Sequence, residues 1–130
     1  MSLIAKIRAH CLSYPETRED HPWGHIAFKV KGKVFVIASG EDKDPKISLK
    51  LSGDSHRDAL ELPFAEPTRY GLGKHGWVSF YFTNRPQVPF KAIAAWIDES
   101  FHAIAPKKLS KELRAAAEKK PARRRARTTK

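Results

Sequence analysis

The sequence is poor in the features that mark disulfide-stabilised, zinc-binding and membrane proteins. Cys11 is the only cysteine among 130 residues, so an intrachain disulfide and a cysteine-based zinc site are excluded. The first apolar stretch, Leu3 to Leu12, is interrupted by Lys6, Arg8 and His10, which is typical of neither a signal peptide nor a membrane span. We therefore expect a soluble, cytoplasmic protein with no membrane partner.

Signatures of catalysis and of bound cofactors are also missing. His21 and His25 are four residues apart, but Pro22 and Gly24 between them argue against a helix that would align both rings on one metal ion. The glycines in residues 71–76 lack the Gly-Lys-Ser/Thr sequence of a phosphate-binding Walker A loop. We therefore predict a non-enzymatic protein with no catalytic residues, no metal site and no cofactor.

Positive charge, in contrast, is abundant, and it is concentrated at one end of the chain. Residues 106–130 contain eleven Lys or Arg against two Glu, a net charge of +9, whereas residues 1–105 contain fourteen basic against twelve acidic residues, a net charge of +2. A polycation attracts phosphate backbones by releasing their condensed counterions. The alternative is a solvated tail that only keeps the protein in solution.

Hydrophobic periodicity predicts one domain over residues 1–105, followed by a basic C-terminal helix and a partly disordered tail over residues 106–130. Leu3 to Cys11 and Phe90 to Ile104 repeat apolar residues at helical spacing and form the two long helices. A short helix is predicted from Asp54 or Ser55 to Leu62, and a C-terminal helix from Lys111 to Lys120 that Pro121 ends. Strands are predicted at Ile26–Val30, Lys33–Ile37, Lys46–Leu51 and Trp77–Phe82.

The order of these elements indicates the fold class. Lys31-Gly32 is a two-residue connection typical of a tight hairpin, and the alternation in Lys46–Leu51 is that of a strand with one buried face. Residues 19–25 and 63–67 are predicted to be loops. The sequence therefore predicts an α+β protein, in which an antiparallel β-sheet carries two long helices packed on one face.

Five strings in the same order resemble the MmcQ/YjbR family. They are Glu19–His25, Phe28–Phe35, Ile47–Leu51, Pro67 with Tyr70–Trp77, and Ile97–Phe101. The resemblance covers roughly residues 3–105, so the tail after Pro106 lies outside the family pattern. It implies a compact α+β fold similar to that of bacterial frataxin (CyaY), with two β "wings" proposed to hold DNA.

Two segments carry the residue types that contact phosphates. The first hairpin presents Lys29, Lys31 and Lys33, and a projecting basic hairpin can lie along a groove, although lysines on exposed strands also prevent edge-to-edge aggregation. The glycine-rich loop of residues 70–77 lets a backbone approach closely, with donors from its basic side chains. Its two aromatic residues, Tyr70 and Trp77, either stack on bases or anchor the loop to the core.

The sequence thus predicts a non-enzymatic protein that binds nucleic acid, DNA rather than RNA, mainly through the phosphate backbone. The predicted contacts are Lys29, Lys31, Lys33, Lys50, Arg69, Lys74, His75, Arg123, Arg124, Arg125 and Arg127.

The alternative is a small-molecule or protein-partner binding module whose tail is only solubilising. In that case Trp23, His25, Tyr70 and Trp77 line a pocket on the concave face of the sheet. The oligomeric state stays open in either case.

Overall fold

The computed structural model describes residues 3–21, 25–39, 44–69, 71–83 and 88–125, with side chains in the last helix as far as residue 116. The helices in these ranges are α1 (Leu3–Leu12), α2 (Gly53–Leu60), α3 (Phe90–Ile104) and α4 (Lys107–Arg125). The strands are β1 (Thr17–Asp20), β2 (Ile26–Val30), β3 (Lys33–Ser39), β4 (Lys46–Lys50), β5 (Ala65–Pro67) and β6 (Trp77–Tyr81). A short 3₁₀ helix (Leu72–His75) precedes β6.

The strands form one sheet in the order β1-β2-β3-β4-β6-β5, and every neighbouring pair is antiparallel. Helix α3 lies across β3 and β4, and α1 packs beside it against β1 and β3. The predicted α+β fold with two long helices on one face is therefore confirmed. None of the helices in the described ranges combines the length and the apolar character needed to cross a lipid bilayer.

The core lies between these helices and the sheet. Ile93, Ile97 and Phe101 recur every four residues along α3, so one stripe of the helix faces the sheet and is fully buried. Burying each such side chain stabilises the fold by roughly 1.5–3 kcal/mol. Cys11 is buried on α1, in agreement with the helical spacing of apolar residues from Leu3 to Cys11. The ring of Tyr14 stacks on that of Phe101 at 4.3 Å and joins the end of α1 to α3.

The β2–β3 hairpin has the predicted two-residue connection. Lys31 and Gly32 have φ values of 52° and 83°. A pair of positive φ angles is the geometry of a type I′ turn, whose twist matches that of the strands it joins. One strand of the pair carries an irregularity between Phe28 and Lys29, where the register shifts.

Strand β4 differs from the prediction in one respect. Its alternating sequence predicts one buried and one solvated face, but Ile47, Ser48 and Leu49 are all buried. The reason is its place in the sheet, because β4 lies between β3 and β6. Ile47 and Leu49 face the helices, whereas Ser48 belongs to the opposite face, where its hydroxyl pairs with that of Ser79 on β6.

The predicted loops at residues 19–25 and 63–67 are wrong in part, because each contains residues of a strand. Thr17–Asp20 and Ala65–Pro67 form β1 and β5, the two edges of the sheet. An edge strand pairs on one side only, so it needs neither apolar alternation nor an N–H at every residue, and it tolerates proline. Both segments become strands because they pair with another strand, β2 for β1 and β6 for β5, and no local sequence pattern indicates this pairing.

The C-terminal helix also differs from the prediction, since it begins at Lys107 and continues past Pro121 to Arg125. Leu109 and Leu113 pack against the core, and Ser110 is buried. These tertiary contacts extend the helix toward its N-terminus. Pro121 has no backbone N–H, so one hydrogen bond of the helix is lost there, but the helix continues on both sides of it.

One buried hydroxyl connects α3 to the two central strands. Ser100 donates a hydrogen bond to the Phe35 carbonyl at 2.6 Å and accepts one from the Lys50 N–H at 2.9 Å. The ladder between β3 and β4 ends at the pair Val36 and Leu49. The Ser100 hydroxyl therefore pairs with the next donor and acceptor in line, which the strands leave unpaired.

Replacing this hydroxyl should destabilise the protein. In Ser100→Ala the Phe35 carbonyl and the Lys50 N–H lose their partner, and each unpaired buried group costs about 1–3 kcal/mol, so we expect a loss of about 2–4 kcal/mol in the free energy of unfolding. Urea unfolding measures it. The matched control is Ser13→Ala, which removes an exposed hydroxyl and should cost less than about 0.5 kcal/mol. Equal losses for both variants would contradict this role.

Candidate functional site

The lysines of the hairpin have acidic neighbours. The Lys29 ammonium lies 2.9 Å from a carboxylate oxygen of Asp20, and that of Lys31 lies 3.7 Å from Glu16. The hydrogen bond from Lys29, followed by one from the His21 N–H, lowers the pKa of Asp20. Both acids come from β1 and the turn before it, so the edge strand offsets part of the charge of the hairpin. Lys33 is exposed and has no ion pair with any described residue.

The glycine-rich loop forms a compact 3₁₀ turn. Lys74 and His75 are exposed at its end, and Gly76, which follows them, lies against Lys50 on β4. Gly76 has a φ of 90°, and the Leu51 carbonyl occupies the place that a Cβ would take. Only glycine fits there, so the chain can return into β6 directly after the turn.

Two of the predicted pocket residues, His25 and Trp77, lie within the described ranges. Trp77 is only 7% exposed and belongs to the interior. This agrees with its role as an anchor for the loop. His25 is exposed. Trp23 and Tyr70 lie outside the described residues.

The C-terminal helix carries cations on the side away from the core. Lys107, Lys111 and Arg114 are exposed and form no ion pair within the described part of the chain. At 100° per residue they share one face, and Leu109 and Leu113 share the opposite one. Lys108 is exposed between the two faces. Of the remaining predicted contacts, Arg123, Arg124 and Arg125 lie in α4 without described side chains, and Arg127 lies outside the described residues.

A cavity of about 850 Å³ lies on the face of the sheet opposite α1 and α3. Its lining is apolar on the β2 and β3 side and polar on the β4, β6 and β5 side. The lining residues are His25, Ala27, Val34, Ile37, Ser39, Lys46, Ser48, Thr68, Arg69, Leu72, Ser79 and Tyr81. Of the residues predicted to line a pocket on the concave face of the sheet, His25 lines this cavity and Trp77 does not.

Three hydroxyls form the polar floor of this cavity. Ser48 and Ser79 are cross-strand partners whose hydroxyl oxygens lie 2.8 Å apart, and Thr68 reaches the Ser79 hydroxyl at 3.0 Å. Both serines are almost fully buried. Because serine side chains are small, this pair leaves space above the centre of the sheet that larger side chains would occupy.

A charged group lies at the polar side of the cavity. The Lys46 ammonium sits 5.3 Å from the centre of the Tyr81 ring, and the Tyr81 hydroxyl donates to Glu66 at 2.7 Å. Arg69 lies 3.9 Å from the same carboxylate. Burial, and then the hydrogen bond to Glu66, raise the pKa of Tyr81. The Glu66 carboxylate thus offsets the charge of Arg69, whereas Lys46 forms no ion pair with any described side chain, so the group carries a net charge of +1.

A second polar cluster, which sequence reasoning missed, joins three helices. The Tyr14 hydroxyl lies 3.2 Å from His10 and donates to Asp98 at 2.9 Å. His102 lies 3.8 Å from Asp98 and 2.6 Å from the Ser110 hydroxyl. Residues 14 and 98 are far apart in the chain, so no local motif signals the cluster. No three His, Cys, Asp or Glu side chains in the described ranges are grouped as a metal ion would require.

Comparisons with known proteins agree with this architecture. The YjbR family model matches residues 12–103, which confirms the resemblance seen in the sequence strings. A crystal structure of a Deinococcus radiodurans protein with a DUF419 domain superposes with a TM-score of 0.66 at 21% identity, covering 78% of this chain and 77% of that one. A Pseudomonas syringae protein superposes with a TM-score of 0.61 at 23% identity, covering 79% of this chain and 98% of that one. No curated protein matches the chain.

The cluster of histidines predicts that stability falls in mild acid. Burial lowers the pKa of His10 and of His102 below the ordinary 6.5, although Asp98 opposes the shift in both and Arg114 adds to it in His102. As the pH falls, the two histidines therefore take up a proton in the unfolded chain at a higher pH than in the folded protein. The free energy of unfolding should decrease once the pH falls below 6.5 and level off below the lowered folded-state values.

Urea unfolding at several pH values between about 7.5 and 5 measures this effect. In the variant His10→Gln with His102→Asn, amide groups replace the ring nitrogens that face Tyr14 and Ser110. These amides can still form hydrogen bonds, but they do not take up a proton in this pH range. Its stability should change less over this range. An unchanged pH profile in the variant would assign the effect to other groups.

Proposed function

The chain belongs to the YjbR family, and we propose that it is a non-enzymatic protein that binds nucleic acid through the phosphate backbone. DNA is the proposed partner in preference to RNA. The cytoplasm is the proposed location, because a lone, unpaired cysteine suits a reducing compartment. The C-terminal helix α4 supplies the main contact surface in this proposal.

The observation that carries the proposal is the cationic face of α4. Lys107, Lys111 and Arg114 are exposed side by side and form no ion pair with any side chain described in residues 3–116. Leu109 and Leu113 pack against the core on the other side of the helix. The cations are thus fixed on a surface of the folded protein, and cations arranged this way can contact successive phosphates.

The hairpin and the glycine-rich loop are the secondary contacts. Lys33, Lys50 and Lys74 form no ion pair with any described residue, whereas Lys29 and Lys31 must exchange an acidic partner for a phosphate. Because each of these two lysines loses an ion pair when it contacts a phosphate, its net contribution to the binding free energy is smaller. Binding should therefore depend on α4 more than on the hairpin.

Several side chains that could suggest catalysis have structural roles, which favours a binding function. The Cys11 thiol is buried, and burial raises its pKa well above the usual range, so it is a poor nucleophile. Asp98 accepts a hydrogen bond from Tyr14, and Glu99 accepts one from the Ser52 N–H. These contacts hold α3 to its neighbours.

Neutralising the cationic face of α4 should weaken binding and its dependence on salt. We expect Lys107→Gln, Lys111→Gln and Arg114→Gln together to reduce the slope of log affinity against log salt concentration by about 0.9 for each phosphate that the helix no longer neutralises. Fluorescence anisotropy with labelled duplex DNA measures the slope, and duplex RNA tests the preference for DNA.

The matched control removes the same charge elsewhere, with Lys6→Gln, Arg57→Gln and Lys91→Gln on α1, α2 and α3. It should retain most of the wild-type slope. A slope that stays unchanged in the α4 variant, or falls equally in both, would overturn the role of this helix.

Removing the acidic neighbours of the hairpin should strengthen binding if the hairpin contacts DNA. In Glu16→Gln with Asp20→Asn, Lys29 and Lys31 no longer pair with carboxylates. Each freed lysine should steepen the salt slope by up to about 0.9. The control, Asp54→Asn with Asp58→Asn on α2, makes the same change in net charge. Equal effects in both variants would mean that only net charge matters and that the hairpin makes no contact.

A further inference from the structure

The cavity on the face of the sheet opposite the long helices has the size and chemistry of a ligand site. Its volume of about 850 Å³ falls within the range of small-molecule pockets. Side chains of the central strands form much of its lining, so its shape does not depend on a surface loop alone. Nothing in the proposed binding of nucleic acid by α4 uses it.

The cavity has two chemically different sides. Ala27 on β2, with Val34 and Ile37 on β3, forms an apolar wall. Leu72 of the 3₁₀ helix, which packs beside β5 and β6, adds another apolar group to the lining. The opposite side holds Lys46 and the group around Tyr81. A ligand that fits both sides has an apolar body and a polar head.

The charges on the polar side favour an anionic head. Lys46 and Arg69 both line the cavity, while Glu66 accepts a hydrogen bond from Tyr81 and lies 3.9 Å from Arg69. One carboxylate thus offsets one of the two cations. A single negative charge on the ligand would neutralise the remainder.

The hydroxyl floor supplies a directional contact. Ser48, Thr68 and Ser79 have three hydroxyl protons, and the two hydrogen bonds that join them use two. One donor remains for a ligand oxygen. Since both serines are almost fully buried, a hydrogen bond formed there is shielded from water.

We propose that this cavity binds a small amphipathic monoanion, a carboxylate with an aliphatic or aromatic body. Its carboxylate lies between Lys46 and Arg69 and reaches the hydroxyls of the floor. Its apolar body lies against Val34 and Ile37. This site is independent of the cationic face of α4.

Calorimetric titration of the full-length protein with octanoate tests the proposal, and 1-octanol serves as a neutral ligand of the same length. We expect one octanoate to bind per protein and 1-octanol to bind about tenfold more weakly, since charge-assisted hydrogen bonds are roughly twice as strong as neutral ones. Failure of octanoate to bind, or equal affinity for the two ligands, would overturn the proposal.

Two lysines on β4 provide a matched pair of variants. Lys46 lines the cavity, whereas Lys50, at the other end of the strand, does not. Lys46→Met should weaken octanoate binding about tenfold and remove the preference over 1-octanol, and Lys50→Met should change the affinity less than about twofold. Equal effects of the two variants would show that general charge, not this cavity, attracts the ligand.

Arg69→Gln, at an exposed position, provides a second test if Lys46→Met fails to fold. It should also weaken octanoate binding, and unchanged affinity would contradict the assigned position of the carboxylate. The α4 variant that weakens DNA binding should bind octanoate with wild-type affinity. The two proposals can therefore fail separately.

Discussion

The hydroxyl of Ser100 fixes the position on which the rest of the structure depends. It pairs with the Phe35 carbonyl and the Lys50 N–H where the β3–β4 ladder stops. Apolar packing alone is not directional, whereas two hydrogen bonds at one hydroxyl fix both the height and the rotation of α3. With α3 held over the central strands, α1 packs beside it, and both long helices lie on one side of the sheet.

This arrangement gives the central strands two different faces. Ile47 and Leu49 form the core beneath α3, while the Ser48–Ser79 pair forms a small polar floor on the other side. Short side chains in the middle of a sheet leave space, and the surrounding strands supply an apolar wall and a charged rim. The cavity is thus a consequence of covering one face with helices and placing small hydroxyl residues on the other.

The fold also determines which charged side chains form ion pairs and which stay exposed. The edge strand β1 brings Asp20 alongside Lys29 on β2, and the turn before it brings Glu16 to Lys31, so basic and acidic residues of the domain largely offset each other. On α4 the apolar residues face the core and the cations face outward. The surface proposed to bind phosphates and the cavity proposed to bind a small anion therefore occupy different parts of the molecule. The first proposal depends on counterion release, and the second depends on shape and directional hydrogen bonds.

The sequence by itself determined what depends on neighbouring residues. The helical stripe of α3, the tight turn at Lys31-Gly32, the core position of Cys11, the family strings and the excess of charge after residue 105 are all local patterns, and they established the α+β class. Only the tertiary structure decided what depends on distant partners. The edge strands, the ion pairs of the hairpin lysines, the lining of the cavity and the contact of Tyr14 with Asp98, 84 residues away, are examples. All of these features arise from contacts between residues that are distant in the sequence, and local sequence patterns do not indicate such contacts.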